Sequence, residues 1–535
     1  METEYILAYD IGTTGLKTCL FRMGDRLQLV QSAIQEYPIQ LLENGGAEQN
    51  PEDWWNSLQS TTKRILDKSD IEVSQIKGIS FCSQMQGLVL VDSDFNPVRP
   101  AMSYMDQRAS NEMKAGIQYG IKIEGINIIK LFVSLWVTGA VAASVKDPIW
   151  KYKWVEKNEP DLFTKVRWWF DVKEFLIARC TGEAVMTRDS AFATFLYNSR
   201  VGKGHWSKLL TKLFKINFNH LPKIVNSYDQ VGVLTERAAK FLGLSPGTAV
   251  FGGGGDASLI GVGAGAVEEG DTHIYAGTSG WVSTVTKQRK VDISARIASI
   301  VGANQNFYNY FGEQETSGKC LQWVKDHLAL DEIDLYLEKK QINEGPDAVY
   351  ESLFEFMFDS IKDTEPGSNG VIFTPWLHGN RCPFEDPNSR GMFFNIGLNT
   401  GKRTLIRSVV EGILFHKKWI IELSDKKIKT SDHIRFVGGV ARSAFICQIL
   451  ADMTGKKIER IVHPENAGAM GAAALAILGL GKVKTFAEIK TMIPISDVFL
   501  PNLKYKSVYD KNFRVFKRLY MQNKKNFAIL NSGDE

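Results

Sequence analysis

The stretch YILAYDIGTTGLKTCLF at residues 5–21 decides the fold. A short apolar run ends at a glycine-bounded turn, GTTG, and a second apolar run follows, which predicts a β-hairpin. The pattern recurs at residues 273–285, where HIYA and WVSTV flank GTSG. Two such hairpins about half a chain apart indicate two similar domains that face each other. A chance match of four small residues is the alternative.

The first turn is suited to binding phosphate. Backbone N–H groups in a tight glycine turn can converge on phosphate oxygens. Thr13 and Thr14 add hydroxyl donors, and Lys17 adds a positive charge. The spacing of Gly12, Gly15 and Lys17 excludes a Walker A loop. An ordinary hairpin turn is the alternative.

A glycine run at residues 252–255 leads directly to Asp256. It follows a predicted strand, Ala249 to Phe251, and ligands of open α/β sheets gather at the carboxyl ends of strands. Four successive glycines indicate close approach to the backbone or a positive φ. A Rossmann motif does not fit, because the third glycine and the distant acid are missing. A turn-forming aspartate is the alternative.

A third glycine turn follows the strand that ends at Val437. Its residues could let a flat base lie on the backbone: Gly438, Gly439, Ala441, Arg442 and Ser443. A tight strand–helix turn is the alternative. The run from Gly468 to Ala474 is typical of close helix packing.

Composition limits the class of function. The chain has 535 residues and a net charge of +4, so nothing favours a nucleic-acid partner. Its six cysteines form no C-x-x-C pair, so the sequence predicts neither a zinc knuckle nor a disulfide framework. This favours a reducing, cytoplasmic setting. The eight histidines form no triad or metal motif. No signal peptide is recognisable, and the apolar run from Leu131 to Val145 is too short to span a bilayer, so we expect it in the core or a pocket wall.

Helices are predicted at 148–180, 405–423 and 512–523, the last as a packed helix with a basic solvated face. We place a domain boundary near Gly261–Gly265. This gives an N-terminal domain of residues 1–264 and a C-terminal domain of residues 265–535.

Taken in this order, the motifs resemble the FGGY carbohydrate kinases, of the actin, Hsp70 and hexokinase-like ATPase superfamily, over nearly the whole chain. The first turn resembles the family's first phosphate motif, the second turn its second, and residues 438–443 its adenosine motif. The two signature regions are recognisable at 148–154 and at 391–412. The chain departs from the family's pattern at four positions. Lys146 stands where a small or apolar residue is usual, and Val440 stands where glycine is common. Asn395 replaces the usual glycine, and Thr404 replaces a polar or acidic residue.

The resemblance implies an α/β fold of two ribonuclease H-like domains that flank a cleft, with sugar mainly on the first domain and ATP on the second. It implies that Asp256 is the catalytic base. Asp10, with Asp256, would hold Mg²⁺ of the ATP complex through water. The ATP and phosphate ligands would be Gly12, Thr13, Thr14, Lys17, Gly277, Thr278, Ser279, Gly438, Gly439, Ala441, Arg442 and Ser443.

The substrate positions resemble those of the xylulokinase branch. They are Met85, Gln86, Asp106, Asp256 and Ala257, but Gln86 replaces a usual histidine and Ala257 a usual asparagine. Conversion of D-xylulose to D-xylulose 5-phosphate is therefore the leading expectation, and another ketose, a polyol or a sugar acid such as gluconate stays open. A homodimer is expected.

Two other functions compete with this one. Retention of Asp10 and Asp256 argues against a non-catalytic sugar- or nucleotide-binding regulator. The resemblance from Met85 to Asp106 argues against a chaperone-like ATPase.

Overall fold

The structure is a computed structural model and describes residues 3–123, 125–328, 354 and 356–532. Two mixed sheets dominate it. The first has seven strands, Gln230–Val233, Ala249–Phe251, Ile76–Ser83, Tyr5–Ile11, Gly15–Arg22 and Gln28–Glu36 in spatial order, with Gly254–Gly255 also on Ile76–Ser83. The second has eight, Val291–Asp292, Ile297–Val301, Tyr308–Gln314, Gly280–Thr286, Thr272–Ala276, His433–Val437, Lys457–Ile461 and Ile495–Phe499.

The two sheets repeat one topology. In each, a glycine-turn hairpin and a third strand are antiparallel, and the first hairpin strand then pairs in parallel with a later strand. This is the ribonuclease H-like arrangement, so the predicted fold class is confirmed. Both predicted hairpins are present, at Tyr5–Arg22 and Thr272–Thr286.

Helices cover the sheets. They are Pro51–Lys68, Ser110–Ile117, Ile128–Val137, Pro148–Asn158, Pro160–Phe163, Val172–Thr181, Arg188–Ala193, Lys208–Leu213, Glu236–Leu242, Asp256–Gly263, Gly318–His327, Lys402–Asp425, Ala444–Thr454, Ala467–Gly479, Phe486–Met492 and Lys506–Asn531. Short strands lie between them at Gln40–Leu41, Ala47–Gln49, Val89–Val91, Ala101–Met102, Lys122–Ile123, Ile126–Asn127, Trp168–Phe170, Val185–Thr187, Tyr197–Asn198, His205–Trp206, Lys223–Val225, Ile372–Phe373 and Phe393–Phe394.

Two helices cross between the sheets with their backbones in contact. A Cβ on Gly263 would lie 1.8 Å from the carbonyl oxygen of Ala467, and one on Gly471 would lie 2.1 Å from that of Leu259. Such distances admit only glycine, which confirms close packing of the small-residue run. These helices, Asp256–Gly263 and Ala467–Gly479, bury one apolar core with residues of both sheets.

Two sequence expectations need correction. The stretch 148–180 is not one helix, because Trp168–Phe170 forms a strand against Val89–Val91. The run at 131–145 is buried only in part. Its helix exposes Phe132 and Trp136 by 60% and 58%, while Val137 and Ala142 are buried.

The C-terminal helix packs as predicted. Phe513 and Phe516 are buried and stack against Phe415 of the 402–425 helix. Among the described residues, none of the helices combines the length and the apolarity that crossing a membrane requires.

Candidate active site

The first glycine turn is fixed from outside by hydrogen bonds to its carbonyl groups. Gly12 donates its N–H to Gly15 at 2.9 Å. The Tyr37 hydroxyl donates to the Gly12 oxygen at 2.5 Å, and Gln49 donates to the Thr13 oxygen at 2.8 Å. Thr14 is exposed at the tip. The turn therefore has a fixed shape, and the side chain of Thr14 is available to a ligand.

Asp10 is the penultimate residue of the strand before this turn, and it lies against the small-residue helix. A Cβ on Gly468 would stand 2.7 Å from Asp10 Oδ2, so the carboxylate lies at the N-terminal turn of that helix. The helix dipole favours negative charge there. Burial raises the pKa of Asp10, and the charge of Lys17 lowers it in part.

Lys17 connects the first hairpin to the chain that enters the same helix. Its ammonium donates to the carbonyl of Glu465 at 3.1 Å and to Asn466 Oδ1 at 2.8 Å. These bonds hold the first hairpin to the second half of the chain. The predicted contact of Lys17 with phosphate stays a prediction.

Asp256 begins a helix at the carboxyl end of the first sheet, as its glycine run predicts. Gly253 has φ +62°, and a Cβ there would lie 2.0 Å from the Phe81 oxygen, so only glycine fits. Burial raises the pKa of Asp256 to about 7. The hydrogen bond from the Ala257 N–H opposes this rise, whereas the negative charges of Asp10, Glu313 and Asp189 add to it. Such a carboxyl group can exchange a proton near neutral pH.

Asp189 holds the backbone that carries Asp256. Its Oδ2 accepts from the Gly255 N–H at 2.7 Å and from the Ser258 hydroxyl. Its Oδ1 accepts from the Thr187 hydroxyl at 2.5 Å. Asp189 is only 1% exposed, so this anchor is shielded from water. Sequence motifs gave no sign of it, because it lies 67 residues before the acid that it positions.

The second glycine turn meets the N-terminus of the 318–327 helix. Gly277 donates to Ser279 at 3.0 Å, while Gly318 and Lys319 donate to the carbonyls of Gly277 and Thr278 at 2.7 and 3.2 Å. Thr278 is exposed, and Ser279 is partly buried. The N-terminus of this helix thus holds the second turn through its own N–H groups, and the predicted contact of the turn with phosphate stays a prediction.

A cavity of about 680 Å³ opens beside this turn and reaches the adenosine motif. Of the predicted ATP ligands, Gly277, Thr278, Gly439, Arg442 and Ser443 line it. Gly438 and Ala441 lie behind it. Gly438 has φ +96°, with a Cβ position 2.5 Å from the Ala276 oxygen, and Ala441 is fully buried.

Sequence reasoning missed the aromatic part of this cavity. Phe354, Phe358 and Phe445 line it, with Gln322, Asp359 and Lys362. Aromatic walls suit a flat nucleobase. Phe354, Phe358, Asp359 and Lys362 come from one stretch of the chain, and Phe445 and Gln322 come from two other helices. They share no motif that links them in sequence.

The predicted sugar loop is held by buried charges. Lys151 donates to the carbonyl oxygens of Gln86 and Ser103, both at 2.7 Å, and burial lowers the pKa of Lys151 to about 8. Gln86 has φ +63°, unusual for a residue other than glycine and typical of functional loops. A Cβ on Gly255 would lie 2.1 Å from Met85 Sδ, so Met85 packs beside Asp256.

Asp106 lies deeper than its predicted role suggests. It is 0% exposed. Its Oδ2 accepts from the Ala47 N–H at 2.9 Å and pairs with Arg108 at 2.7 Å, and Arg108 also pairs with Glu48. The carboxylate is thus engaged in holding the loop, and a direct contact with substrate stays a prediction.

Glu313 of the second sheet acts on Asp256 and is paired with Arg381, which lies outside that sheet. Arg381 pairs with Glu313 at 2.9 Å and with Glu315 at 2.5 Å. Desolvation and the charge of Arg381 lower the pKa of Lys146, and these two glutamates oppose that shift. Lys146 forms no ion pair within the part of the chain that the structure describes.

The acids fit a metal that arrives with the nucleotide. Asp10 and Asp256 are partly buried carboxylates with raised pKa values, and each would be stabilised by a nearby cation. Mg²⁺ prefers oxygen ligands and usually takes one or two carboxylates with substrate phosphates. Among the described residues, no group of three or more His, Cys, Asp or Glu side chains could hold a metal ion.

Comparison with known proteins decides the family. The N-terminal domain of the FGGY family of carbohydrate kinases matches residues 5–263, and its C-terminal domain matches residues 273–480. This chain belongs to the FGGY family of carbohydrate kinases. It is therefore a sugar kinase, an enzyme rather than a binding regulator.

The relatives of this FGGY kinase are named after two different substrates. A xylulose kinase of Staphylococcus epidermidis is 28% identical over 99% of both chains. A gluconokinase of Bacillus subtilis is 26% identical over 92% of this chain and 90% of its own. The crystal structure of a ligand-bound xylulose kinase from Lactobacillus acidophilus superposes with a TM-score of 0.84 at 25% identity, covering 99% of this chain and all of that one.

The two FGGY signature regions have structural roles here. Lys151 of the first holds the sugar loop. Glu411 of the second accepts hydrogen bonds from the Gly367 N–H at 2.9 Å and the Ser368 hydroxyl at 2.8 Å, and pairs with Arg407 at 2.9 Å. The second signature thus supports the fold of the second domain rather than the cleft.

Proposed function

We propose that this FGGY kinase transfers the γ-phosphoryl group of ATP to D-xylulose and forms D-xylulose 5-phosphate, with Asp256 as catalytic base. The supporting observation is the position of Asp256, whose pKa is raised to about 7. It lies beside Met85 of the sugar loop and interacts electrostatically with Asp10 of the phosphate hairpin.

In this mechanism the substrate hydroxyl gives its proton to Asp256. The hydroxyl oxygen forms a bond to the γ-phosphorus as the bond between that phosphorus and the bridging oxygen of ADP breaks. Positioning and charge stabilisation dominate phosphoryl transfer. Thr13, Thr14, Thr278 and Ser279 would supply donors to the transferring group.

The nucleotide would occupy the 680 Å³ cavity, its phosphates at the second turn and its base against Phe358 and Phe445. Mg²⁺ bound with ATP would neutralise phosphate charge. Asp10 and Asp256 would hold that ion through water. Closure of the two domains would exclude water, which otherwise competes as acceptor.

A sugar acid such as gluconate is the second candidate, because Lys146 stands where the family usually has a small or apolar residue. Its ammonium has no ion pair within the described chain and lies near Arg381. Arg381 is already paired with Glu313 and Glu315, so Lys146 is the cation that would bind a substrate carboxylate. A neutral sugar or polyol would give Lys146 no such partner.

The test is ADP formation by the full chain with ATP and Mg²⁺, over a panel of ketoses, polyols and sugar acids. We expect D-xylulose to be turned over, with the Asp256→Asn variant as background. Preference for gluconate, lost selectively in Lys146→Met, would establish the second candidate instead. ATP hydrolysis that no panel member accelerates would contradict both.

We also propose a cytoplasmic enzyme that forms a homodimer. All six cysteines are buried and free, which suits a reducing compartment. Light scattering would test the dimer by a mass of twice 60.0 kDa. A monomer at enzyme concentrations that support turnover would contradict it.

A further inference from the structure

A buried lysine without a partner lies behind the second glycine turn. Lys417, on the helix Lys402–Asp425, is 0% exposed, and its ammonium makes no hydrogen bond within the described chain. A buried charge that lacks hydrogen bonds is strongly destabilising. An unpaired lysine at such a depth therefore needs an explanation, and a bound anion supplies one.

The position of the ammonium is fixed by Gly280, the last residue of the turn. A Cβ on Gly280 would lie 2.3 Å from Lys417 Nζ and 3.2 Å from Ser317 Cβ. The lysine nitrogen thus lies against the backbone of Gly280, on the face where a side chain of that residue would project. Only glycine leaves room for this approach.

Two further polar groups at this place have no partner. The Ser317 hydroxyl and both amide atoms of Gln314 are buried and make no hydrogen bond within the described chain. Gln314 pairs with Gly280 across the two strands, so its side chain projects from the same face as the Cβ position of Gly280. Orphan polar groups are rare in native interiors, and three around one glycine indicate a purpose.

The titratable neighbours leave the lysine charge uncompensated. Burial raises the pKa of Cys320 to about 12 and lowers that of His416 to about 3, so both are neutral near pH 7. Among the described residues, neither the 318–327 helix nor the lysine's own helix supplies a carboxylate that pairs with Lys417.

We propose that Lys417 is a positioning residue for ATP, a cation behind the Gly277–Gly280 turn that favours the terminal phosphates bound on the other side. The unpartnered Ser317 hydroxyl and Gln314 amide border the same glycine. The inference rests on the proposed function, because it takes this turn as the phosphate site. Lys417 acts through the turn and does not touch the transferred group.

Proton uptake on ATP binding is the expected consequence. Burial lowers the pKa of Lys417 to about 7, so the empty enzyme is partly neutral there at physiological pH. Phosphate charge favours the ammonium form and raises this pKa. Uptake is therefore largest above pH 7, and it vanishes well below pH 7, where the lysine is already charged.

Calorimetry of nucleotide binding to the full chain tests this without a sugar. Binding of a non-hydrolysable ATP analogue with Mg²⁺ is measured at pH 7.5 in two buffers of different ionisation enthalpy. We expect uptake of up to one proton by the wild type. Lys417→Met should abolish the proton uptake and lower the affinity for the analogue by about tenfold or more. The affinity for AMP should not change.

Lys418→Met is the matched control, since Lys418 lies on the same helix but pairs with Asp510 at 2.7 Å. It should keep wild-type uptake and affinity. Wild-type protein that binds the analogue without proton uptake would overturn the inference even if Lys417→Met fails to fold. Equal loss of AMP and analogue affinity would also overturn it, as a structural effect. A wild type that binds no ATP analogue would overturn the proposed function itself.

Discussion

The two glycine-turn hairpins share their topology and differ in their charges. Asp10 lies two residues before the first turn and Lys17 two residues after it, and they face each other across the strands. The corresponding residues of the second hairpin are Tyr275 and Val282. The second hairpin therefore has no charge on its strands beside the turn, and its cation is Lys417, from a helix behind it.

This difference separates the tasks of the two halves. The first half of the chain contributes two carboxylates, Asp10 and Asp256, which are suited to binding a metal ion and to accepting a proton. The second half contributes a turn held by the N-terminus of the 318–327 helix and, behind that turn, a buried ammonium whose charge would favour phosphate. The repeated fold fixes the positions of the turns, and residues outside the hairpins determine what each turn does.

The largest expected effect concerns the acidic half. Asp256→Asn keeps the shape of the side chain but removes the proton acceptor, so kcat should fall by at least about 10²-fold. Sugar and ATP binding, measured by calorimetry, should persist. Turnover close to that of the wild type would remove Asp256 from its assigned role.

The same assignment fixes a pH dependence. Asp256 accepts a proton only when ionised, and its pKa in the free enzyme is raised to about 7. The wild-type kcat/KM should therefore rise as the pH increases through about 7. A flat profile from pH 6 to 8 would contradict the raised pKa.

The second prediction compares the last glycines of the two turns. A Cβ on Gly280 would lie 2.5 Å from the Tyr275 carbonyl and 2.3 Å from Lys417 Nζ, whereas one on Gly15 would lie 3.2 Å from the Gln35 carbonyl. Gly280→Ala should therefore lower the free energy of unfolding by about 1–3 kcal/mol. Gly15→Ala should have the smaller effect.

Urea unfolding of both variants measures this difference. Equal destabilisation would mean that the lysine behind the second turn moves aside easily. The close contact would then not constrain the turn.

The third prediction asks whether both turns bind phosphate. Thr14 and Thr278 are the exposed hydroxyl residues of the two turns. Thr14→Val and Thr278→Val each remove one hydrogen-bond donor, worth roughly 0.5–1.5 kcal/mol, so the KM for ATP should rise up to about tenfold. Sugar binding should not change. If only one variant is affected, the shared phosphate function fails, although the repeated fold stands.

The sequence predicted what is local and repeated. The hairpins, the Asp256 turn and the 402–425 helix follow from glycine turns and apolar periodicity, which depend on neighbouring residues. The run at 131–145 was expected in the core or a pocket wall. Trp136 lines a pocket, but Phe132 is exposed, because an apolar run does not reveal which of its faces has a partner.

The rest of the candidate site depends on residues far apart in the chain. Asp189 meets Gly255 and Lys417 meets Gly280 only after the sheets have formed. Neither belongs to a motif, and a buried lysine or aspartate looks like a surface residue in sequence. Motifs located the turns, but the residues that position and charge them needed the structure.

The smallest expected effect concerns specificity, and it tests whether the acidic half is built for xylulose. Gln86 and Ala257 replace the histidine and asparagine that xylulokinases usually have. Glutamine can still bind a hydroxyl, but alanine offers no hydrogen bond. D-Xylulose should thus be a mediocre substrate, and Ala257→Asn with Gln86→His should improve kcat/KM by up to about tenfold, or roughly 0.5–1.5 kcal/mol.

The backbone permits this double variant. Gln86 has φ +63°, a region that histidine tolerates better than most residues, and Ala257 is partly exposed in the first turn of its helix. The measurement is kcat/KM for D-xylulose in parent and variant, beside the best substrate of the panel as control. High efficiency in the parent, lost when His and Asn are restored, would mean that this pocket binds xylulose through other groups. In that case Gln86 and Ala257 would be adapted to D-xylulose rather than departures from it.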